Sequence, residues 1–466
     1  MMTHNIHLLE AAHRAYRSGA TLRSNRRRFK DFTYGRQWGD VDEYSGSCRS
    51  DGERAAASGR RPLTNNLIGR LVKTVIGRYI TDHRDKLTIR PSDTTMEMNS
   101  LDELDSRLLE EFLISGCAVQ RIVPEYRPAG TGIWIDNVNP CEFFIDRMKD
   151  PRTTDCELLG MLHSMSLAEV ISRFGNGDSN RTDRLRHIYG NEATLPAELG
   201  SSITESTEFF TAEAGRCRVI EVWTLDYTDT LRCHDQLTAD YYETPADNEP
   251  ELEQMNHSRE ASGMPPVKWR HAPHTRWRCR WLSPDGYVIG EHDSWMADGS
   301  HPFVMKFYPL TDGEIHPFVE DVIDQQKYVN RLITIIDNVM STSAKGVLLF
   351  PERQLSDDHT MRDVAAQWAR FDGVIKYKGL PNSPEPHQVV TPTSNIGAYE
   401  LLALEMKLFE EVSGVTGALR GTGGSMTSAQ LYEAQIRNAS ATLADLYAAF
   451  SNLRRQRNLR IHALEQ

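Results

Sequence analysis

FVEDVIDQQKYVNRLITIIDNVMS, residues 318–341, decides how this chain is read. Val322, Val329, Leu332, Ile336 and Val339 recur at three- and four-residue steps or their sum, so they share one face of a helix spanning ~36 Å. A compact segment follows, with strand patterns at 346–350 and 374–377, a helix near 361–370, and Pro381, Pro384 and Pro386 closing it. Helical spacing resumes over 396–413, where Tyr399, Leu402, Met406 and Phe409 form the stripe and Gly414 and Gly417 end it. Next comes the glycine-rich run Arg420-Gly421-Thr422-Gly423-Gly424-Ser425-Met426-Thr427. Beyond it, Ile436, Ala439, Leu443, Leu446, Phe450 and Leu453 keep the alternation of a packed helix seam. Arg454, Arg455, Arg457 and Arg460 make the end of that helix basic, which suits its dipole.

Upstream the pattern is mixed. Residues 1–60 are polar and Arg-rich, and the cluster Arg23, Arg26, Arg27 and Arg28 reads as a solvated or partly disordered arm before the aromatic turn Tyr34-Gly35-Arg36-Gln37-Trp38. Leu67, Leu71, Val72, Val75 and Tyr79 predict a helix over 62–80 with Pro62 in its first turn. Leu101, Leu104, Leu108 and Phe112 predict another over 100–115, ended by Gly116. Strands are expected at 117–126 and 132–138, then a helix over 167–174 capped by Ser166. Between 175 and 215 the composition suggests loops with brief helices. A strand at 217–225 places Val219, Glu221 and Trp223 on one face and Ile220 and Val222 on the other. Residues 240–265 read as a mobile insertion, and strands resume at 276–281 and 287–291. The fold class is therefore α+β.

At 466 residues the chain should hold two or three structural units. It has 39% hydrophobic and 25% charged residues, and no apolar run long enough to cross a bilayer, so a soluble, intracellular product is expected. The formal charge of −12 argues against tight, sequence-independent wrapping of nucleic acid. Seven scattered cysteines, none in a C-x-x-C pair, read as reduced thiols.

Catalytic chemistry finds little purchase. The Gly421–Ser425 run could cradle a phosphate, but it lacks the Lys-Ser/Thr ending of a nucleotide loop. His271 and His274 with Cys279, Cys233 and His234 match no strong zinc spacing, and Asp321/Asp324 and Glu410/Glu411 form no recognisable acid/base pair. No enzyme, cofactor or metal is expected. A nucleotide-binding enzyme using the glycine-rich loop, and a helical scaffold or adaptor without a channel, remain the alternatives.

Several segments, in order, resemble the portal proteins of tailed double-stranded DNA bacteriophages. Tyr34–Trp38 is similar to an aromatic signature of that family, and Pro62–Gly77 to its Pro- and Asn-led first helix. Leu113–Ala118 with Val138-Asn139-Pro140 and Phe144-Ile145-Asp146 resembles the helix, hairpin and exit of its wing. His301-Pro302-Phe303-Val304, Asp312-Gly313 and Asp324-Gln325-Gln326…Asn330 resemble the entry to its stem. Ser413–Gly417 and Thr427–Gln430 resemble the borders of its tunnel loop.

The resemblance implies a wing at 1–317 with an N-terminal arm at 1–33, a first stem helix at 318–342, a clip at 343–395 and a second stem helix at 396–417. A tunnel loop at 418–428 and a long helix at 429–466 would complete the subunit, any C-terminal crown being absent or outside this sequence. It further implies a ring of about twelve copies with a central channel. Double-stranded DNA would pass against Arg420–Thr427, with Lys345 as a further phosphate contact. Lys376, Tyr377 and Lys378 would form a docking surface for the large terminase and then a head-tail adaptor. Major capsid and scaffolding proteins are the other implied partners, and the implied location is the virion vertex, after assembly in the host cytoplasm. Ring interfaces would bury apolar stripes such as Val329, Leu332 and Ile336.

Overall fold

A computed structural model describes residues 3–41, 49–57, 61–83, 89–190, 205–343, 347–369, 373–381, 384–389, 397–415 and 441–466. The chain divides into two compact units: Met1–Lys30, Val72–Glu320 and Ala418–Gln466 form one, Asp31–Leu71 and Asp321–Gly417 the other.

The larger unit is mixed α and β. β1 (Cys117–Arg127) lies between β2 (Gly130–Asn137) and β9 (Phe303–Phe307) in an antiparallel three-stranded sheet. A second sheet runs β3 (Phe143–Ile145), β4 (Leu158–Met165), β5 (Cys217–Asp235), β7 (Lys268–Leu282), β8 (Val288–Asp293), with β6 (Asp240–Pro245) paired to β5. The first part of β5, Val219–Trp223, is apolar on both faces except for Glu221. Val219 and Trp223 enter one core with Cys279, Trp281 and Phe303, while Ile220 and Val222 enter another with Leu9, Tyr16 and Phe209. A strand buried on both faces needs apolar residues at both parities, and the alternation expected for 217–225 is the observed one.

Leu101–Ser115 is helical and ends at Gly116, whose φ of 67° is left-handed. A Cβ there would sit 2.4 Å from Ile315 Cγ2. Only glycine meets both constraints. Ser166 Oγ accepts from the Glu169 amide at 3.2 Å and starts the helix Leu167–Phe174, as its side chain predicts.

The N-terminal arm departs from expectation. Ile6–Ser18 and Ala20–Thr33 are helices, and Leu8, Leu9, Ala12 and Tyr16 are buried. Arg23 is buried and donates to the Tyr16 carbonyl at 2.6 Å, Arg26 binds Glu111 through two bonds of 2.8–2.9 Å, and Arg27 pairs with Glu208. Arg23 and Arg26 are thus internal wiring, Arg27 and Arg28 remain exposed, and the arm is a packed helical segment rather than a solvated one. The 240–265 stretch contains β6 and the helix Glu249–Ala261, with Leu252, Leu231, Cys233 and Val267 forming a small core and Arg259 bridging to Asp235 at 2.7–2.8 Å.

In the smaller unit a short 3-10 turn (Glu320–Val322), which begins at its border, precedes the helix Ile323–Ser343. β12 (Val347–Leu349) pairs with β13 (His387–Val389) around the helix Met361–Ala369, and the helix Ala398–Ser413 follows. The strand expected at 374–377 is only an isolated bridge from Tyr377 to Leu355; the partner of β12 is the polar 387–389 segment, which carries no strand pattern. The expected helix over 62–80 begins at Leu67, with Pro62 outside it.

Candidate functional site

The helix Ile323–Ser343 is positioned by amide side chains. Gln326 is fully buried: its Oε1 accepts from the Leu67 and Ile68 amides at 2.8 and 3.3 Å, and its Nε2 donates to the Asn65 carbonyl at 2.7 Å and to Asn330 Oδ1 at 3.2 Å. Asn330 Oδ1 accepts from the Asn65 amide at 2.9 Å, and its Nδ2 donates to Gln37 Oε1 at 2.5 Å. Gln37 Nε2 in turn donates to the Phe32 carbonyl at 2.7 Å and to Asn66 Oδ1 at 3.2 Å. Three of the portal-like segments, Tyr34–Trp38, Pro62–Asn66 and Gln326–Asn330, therefore meet in one hydrogen-bonded network. Sequence reading found the segments but not their contact, because amides at separations near 260 and 290 residues carry no periodic signal.

The apolar stripe of this helix turns inward. Val322, Val329 and Leu332 are buried, and Ile336 and Val339 are half-buried. Val329 and Leu332 are already consumed within one subunit, so they are not free for a neighbour as the ring argument expected. The helix packs against Ala398–Ser413, where Phe409 is buried, Leu402 half-buried, and Tyr399 and Met406 exposed. Tyr399 Oη reaches Met340 Sδ at 3.2 Å. Gly414 takes a left-handed φ of 66° and stops the second helix. Between these helices Lys376, Tyr377 and Lys378 are exposed, and Lys378 pairs with Asp357 while its amide bonds the Gln354 carbonyl at 2.9 Å.

Lys345 and the whole run Arg420–Thr427 lie outside the described residues, as do Ile436 and Ala439. The helix Ala444–Glu465 that follows is fastened to the larger unit. Leu443, Leu446, Phe450 and Leu453 are buried as their spacing predicts. Its basic end is not a dipole device. Arg457, 1% exposed, and Arg454 both pair with Asp105, the latter at 2.7 Å, and Arg460 donates to the His301 and Phe303 carbonyls at 2.7 Å each. Of the four arginines only Arg455 is exposed. Tyr79 Oη meets Ser451 Oγ at 2.9 Å, and Tyr308 Oη donates to Asp445 at 2.6 Å. Glu465 accepts from the Ser92 and Thr95 hydroxyls at 2.7 Å. Burial works against that carboxylate, but these bonds outweigh it and hold its pKa below the ordinary value.

The larger unit also holds a buried cluster that sequence reading missed. Glu221, wholly buried on β5, bonds Arg121 of β1 at 3.1 Å, His163 of β4 at 2.7 Å and the Trp223 indole at 2.8 Å. Burial alone would raise the Glu221 carboxyl, but Arg121 and its hydrogen-bonding neighbours lower it to about 2. A carboxylate sealed from water and fixed in its ionised form makes a latch between the two sheets, not a proton shuttle. Burial pushes the Cys117 and Cys279 thiols far above their usual range, so they are not nucleophiles. His271 and His274, three apart on β7, point to opposite faces and sit near Glu249 and Glu243; no metal-binding cluster occurs among the described residues. None of the described helices is long and apolar enough to cross a membrane.

No curated protein matches the chain. Residues 9–462 match the family described as phage P22-like portal protein. The ordered portal-like segments, the helix–insertion–helix unit and all but the end of the anchored last helix fall inside that match, and the chain belongs to the phage P22-like portal protein family, a non-enzymatic virion subunit of the capsid-vertex ring through which phage DNA is packaged.

Proposed function

We propose that the smaller unit supplies the narrow part of the portal channel: residues 318–342 and 396–417 as stem helices, and 343–395 as a clip. Residues 1–317 then correspond to the wing (although 31–71 belong to the smaller compact unit), 418–428 to a tunnel loop and 429–466 to the helix leading toward the capsid interior. The observation that carries this reading is the pair of packed helices, Ile323–Ser343 and Ala398–Ser413, separated by a small α/β insertion. In that arrangement Arg420 and Lys345 contact phosphates, and the glycines at 421, 423 and 424 let the loop shift as the duplex advances. Lys376, Tyr377 and Lys378 form the surface for the large terminase and later a head-tail adaptor, while the wing meets capsid and scaffolding proteins.

Negative-stain microscopy of the purified chain tests the ring, and a strictly monomeric chain at assembly concentrations refutes it. Lys376→Glu with Lys378→Glu should leave rings intact and abolish terminase binding. Unchanged binding refutes the clip assignment while leaving the ring standing.

A further inference from the structure

The helix Ala398–Ser413 carries a second apolar stripe. Leu401, Leu404, Leu408 and Val412, spaced three, four and four apart, lie together on a face turned about 115° from that of buried Phe409 and Ser413. In the single chain Leu404 is 50% and Val412 44% exposed, and Leu401 and Leu408 are half-buried. Glu400 and Glu411 flank the stripe on one side and Glu405 on the other. A closed ring of identical subunits needs two different, complementary faces on each copy.

The matching face lies on the outer side of Ile323–Ser343. There Tyr328 is 37% exposed, and Arg331 is exposed with no ion pair among the described residues. Beside them Trp38, Ala55 and Ile335 form the apolar part of a cavity of about 260 Å³ in the same unit, whose other walls, Asp51, Arg54 and Lys327 among them, are polar. We infer that the Leu401–Leu404–Leu408–Val412 stripe of one subunit docks on the Tyr328–Arg331–Ile335 face of the next, beside the apolar wall of that cavity. Arg331 then meets the acidic flank of the stripe. This rests on the portal reading, and it replaces Val329 and Leu332 as the interface with residues the subunit leaves uncovered. An apolar stripe bordered by carboxylates is poorly suited to face a DNA phosphate backbone, which favours a second copy as its occupant.

Leu404→Glu and Val412→Glu, at positions that a lone chain already exposes, should keep the melting curve and raise the concentration for half-assembly at least tenfold by sedimentation velocity. Tyr241→Glu, 80% exposed in the larger unit, should leave assembly unchanged. Arg331→Glu should fail to close rings alone. Mixed with the Leu404→Glu chain it should give a one-to-one heterodimer, because each chain then retains one intact face. Independently of any charge substitution, Leu404→Cys should react with a bulky maleimide at least tenfold slower in rings than in monomers. Wild-type assembly by both Glu variants, or equal labelling in rings and monomers, overturns the inference while the ring stands. If the unaltered chain forms no ring at all, the portal reading fails and takes the inference with it.

Discussion

Asp105 sits on the helix Leu101–Ser115 and is the shared counter-ion of Arg454 and Arg457. Asp105→Ala would leave both guanidiniums buried and facing each other. Arg457 retains weaker partners, Gln120 Oε1 at 3.3 Å and Asn458 Oδ1 at 3.0–3.1 Å, and Arg454 retains Tyr79 Oη at 3.2 Å, but none carries charge. Removing one member of a buried ion pair costs about 3–5 kcal/mol, and here one carboxylate serves two cations, so the upper half of that range is expected. For a unit of this size that is a fall in Tm on the order of 5–10 °C, read by thermal unfolding of the full chain. Replacing the whole cluster, Asp105→Leu with Arg454→Met and Arg457→Met, should recover most of the loss, because no desolvated charge is then left unpaired. A loss below about 1 kcal/mol in Asp105→Ala, or a triple replacement as unstable as the single one, would refute the argument that charge satisfaction fixes the last helix.

Gln326→Ala strands the buried Ile68 amide and frees the partly exposed Leu67 amide and Asn65 carbonyl to water, so at about 1–3 kcal/mol for one buried orphan it should cost that much; hydrogen exchange at 65–68 should accelerate accordingly. Acid stability should depend on His301, whose pKa falls from 6.5 to about 3 through burial and then the charge of Arg460. The unfolded chain binds the extra proton, so this contribution is complete above pH 6.5 and declines by about 1.4 kcal/mol per unit as pH falls toward 3. His301→Asn should flatten the pH dependence of the urea midpoint between 6.5 and 4.5 relative to the unaltered chain, and parallel curves would show that His301 titrates normally. Glu221 has the same sign at lower pH: its contribution is complete above its ordinary 4.5 and is lost toward 2, so Glu221→Gln should lower stability at pH 7 and narrow the gap near pH 3, as measured by urea unfolding.

What the sequence disclosed was local. The Ser166 cap, the Gly116 stop, the alternation of β5 and the seam at Leu446, Phe450 and Leu453 each follow from residues within a turn or two of one another. What it concealed was decided by partners far along the chain. Arg26 finds Glu111 at a separation of 85 residues and Arg457 finds Asp105 at 352, so one arginine cluster reads as a solvated arm and the other as a helix-dipole terminus until the fold brings the carboxylates to them. β13 is hidden for a different reason: His387, Gln388 and Val389 are all exposed, and a strand with no buried face leaves no hydrophobic pattern. In the candidate channel, helix periods were legible, but which of two apolar stripes turns inward was not.

The arginine clusters change how the negative charge of −12 should be understood. Sequence-independent grip on a duplex comes from cations that replace its counterions. Arg23, Arg26, Arg454, Arg457 and Arg460 are the obvious candidates by clustering, and each is bonded to a carboxylate or carbonyl of its own chain. Their charge is used to hold helices in place, and the net field of the subunit stays that of an acidic protein. Repetition around a ring multiplies that field. The five clustered arginines are thus withdrawn from any grip on a duplex, and an acidic subunit repeated around a ring opposes static binding of DNA.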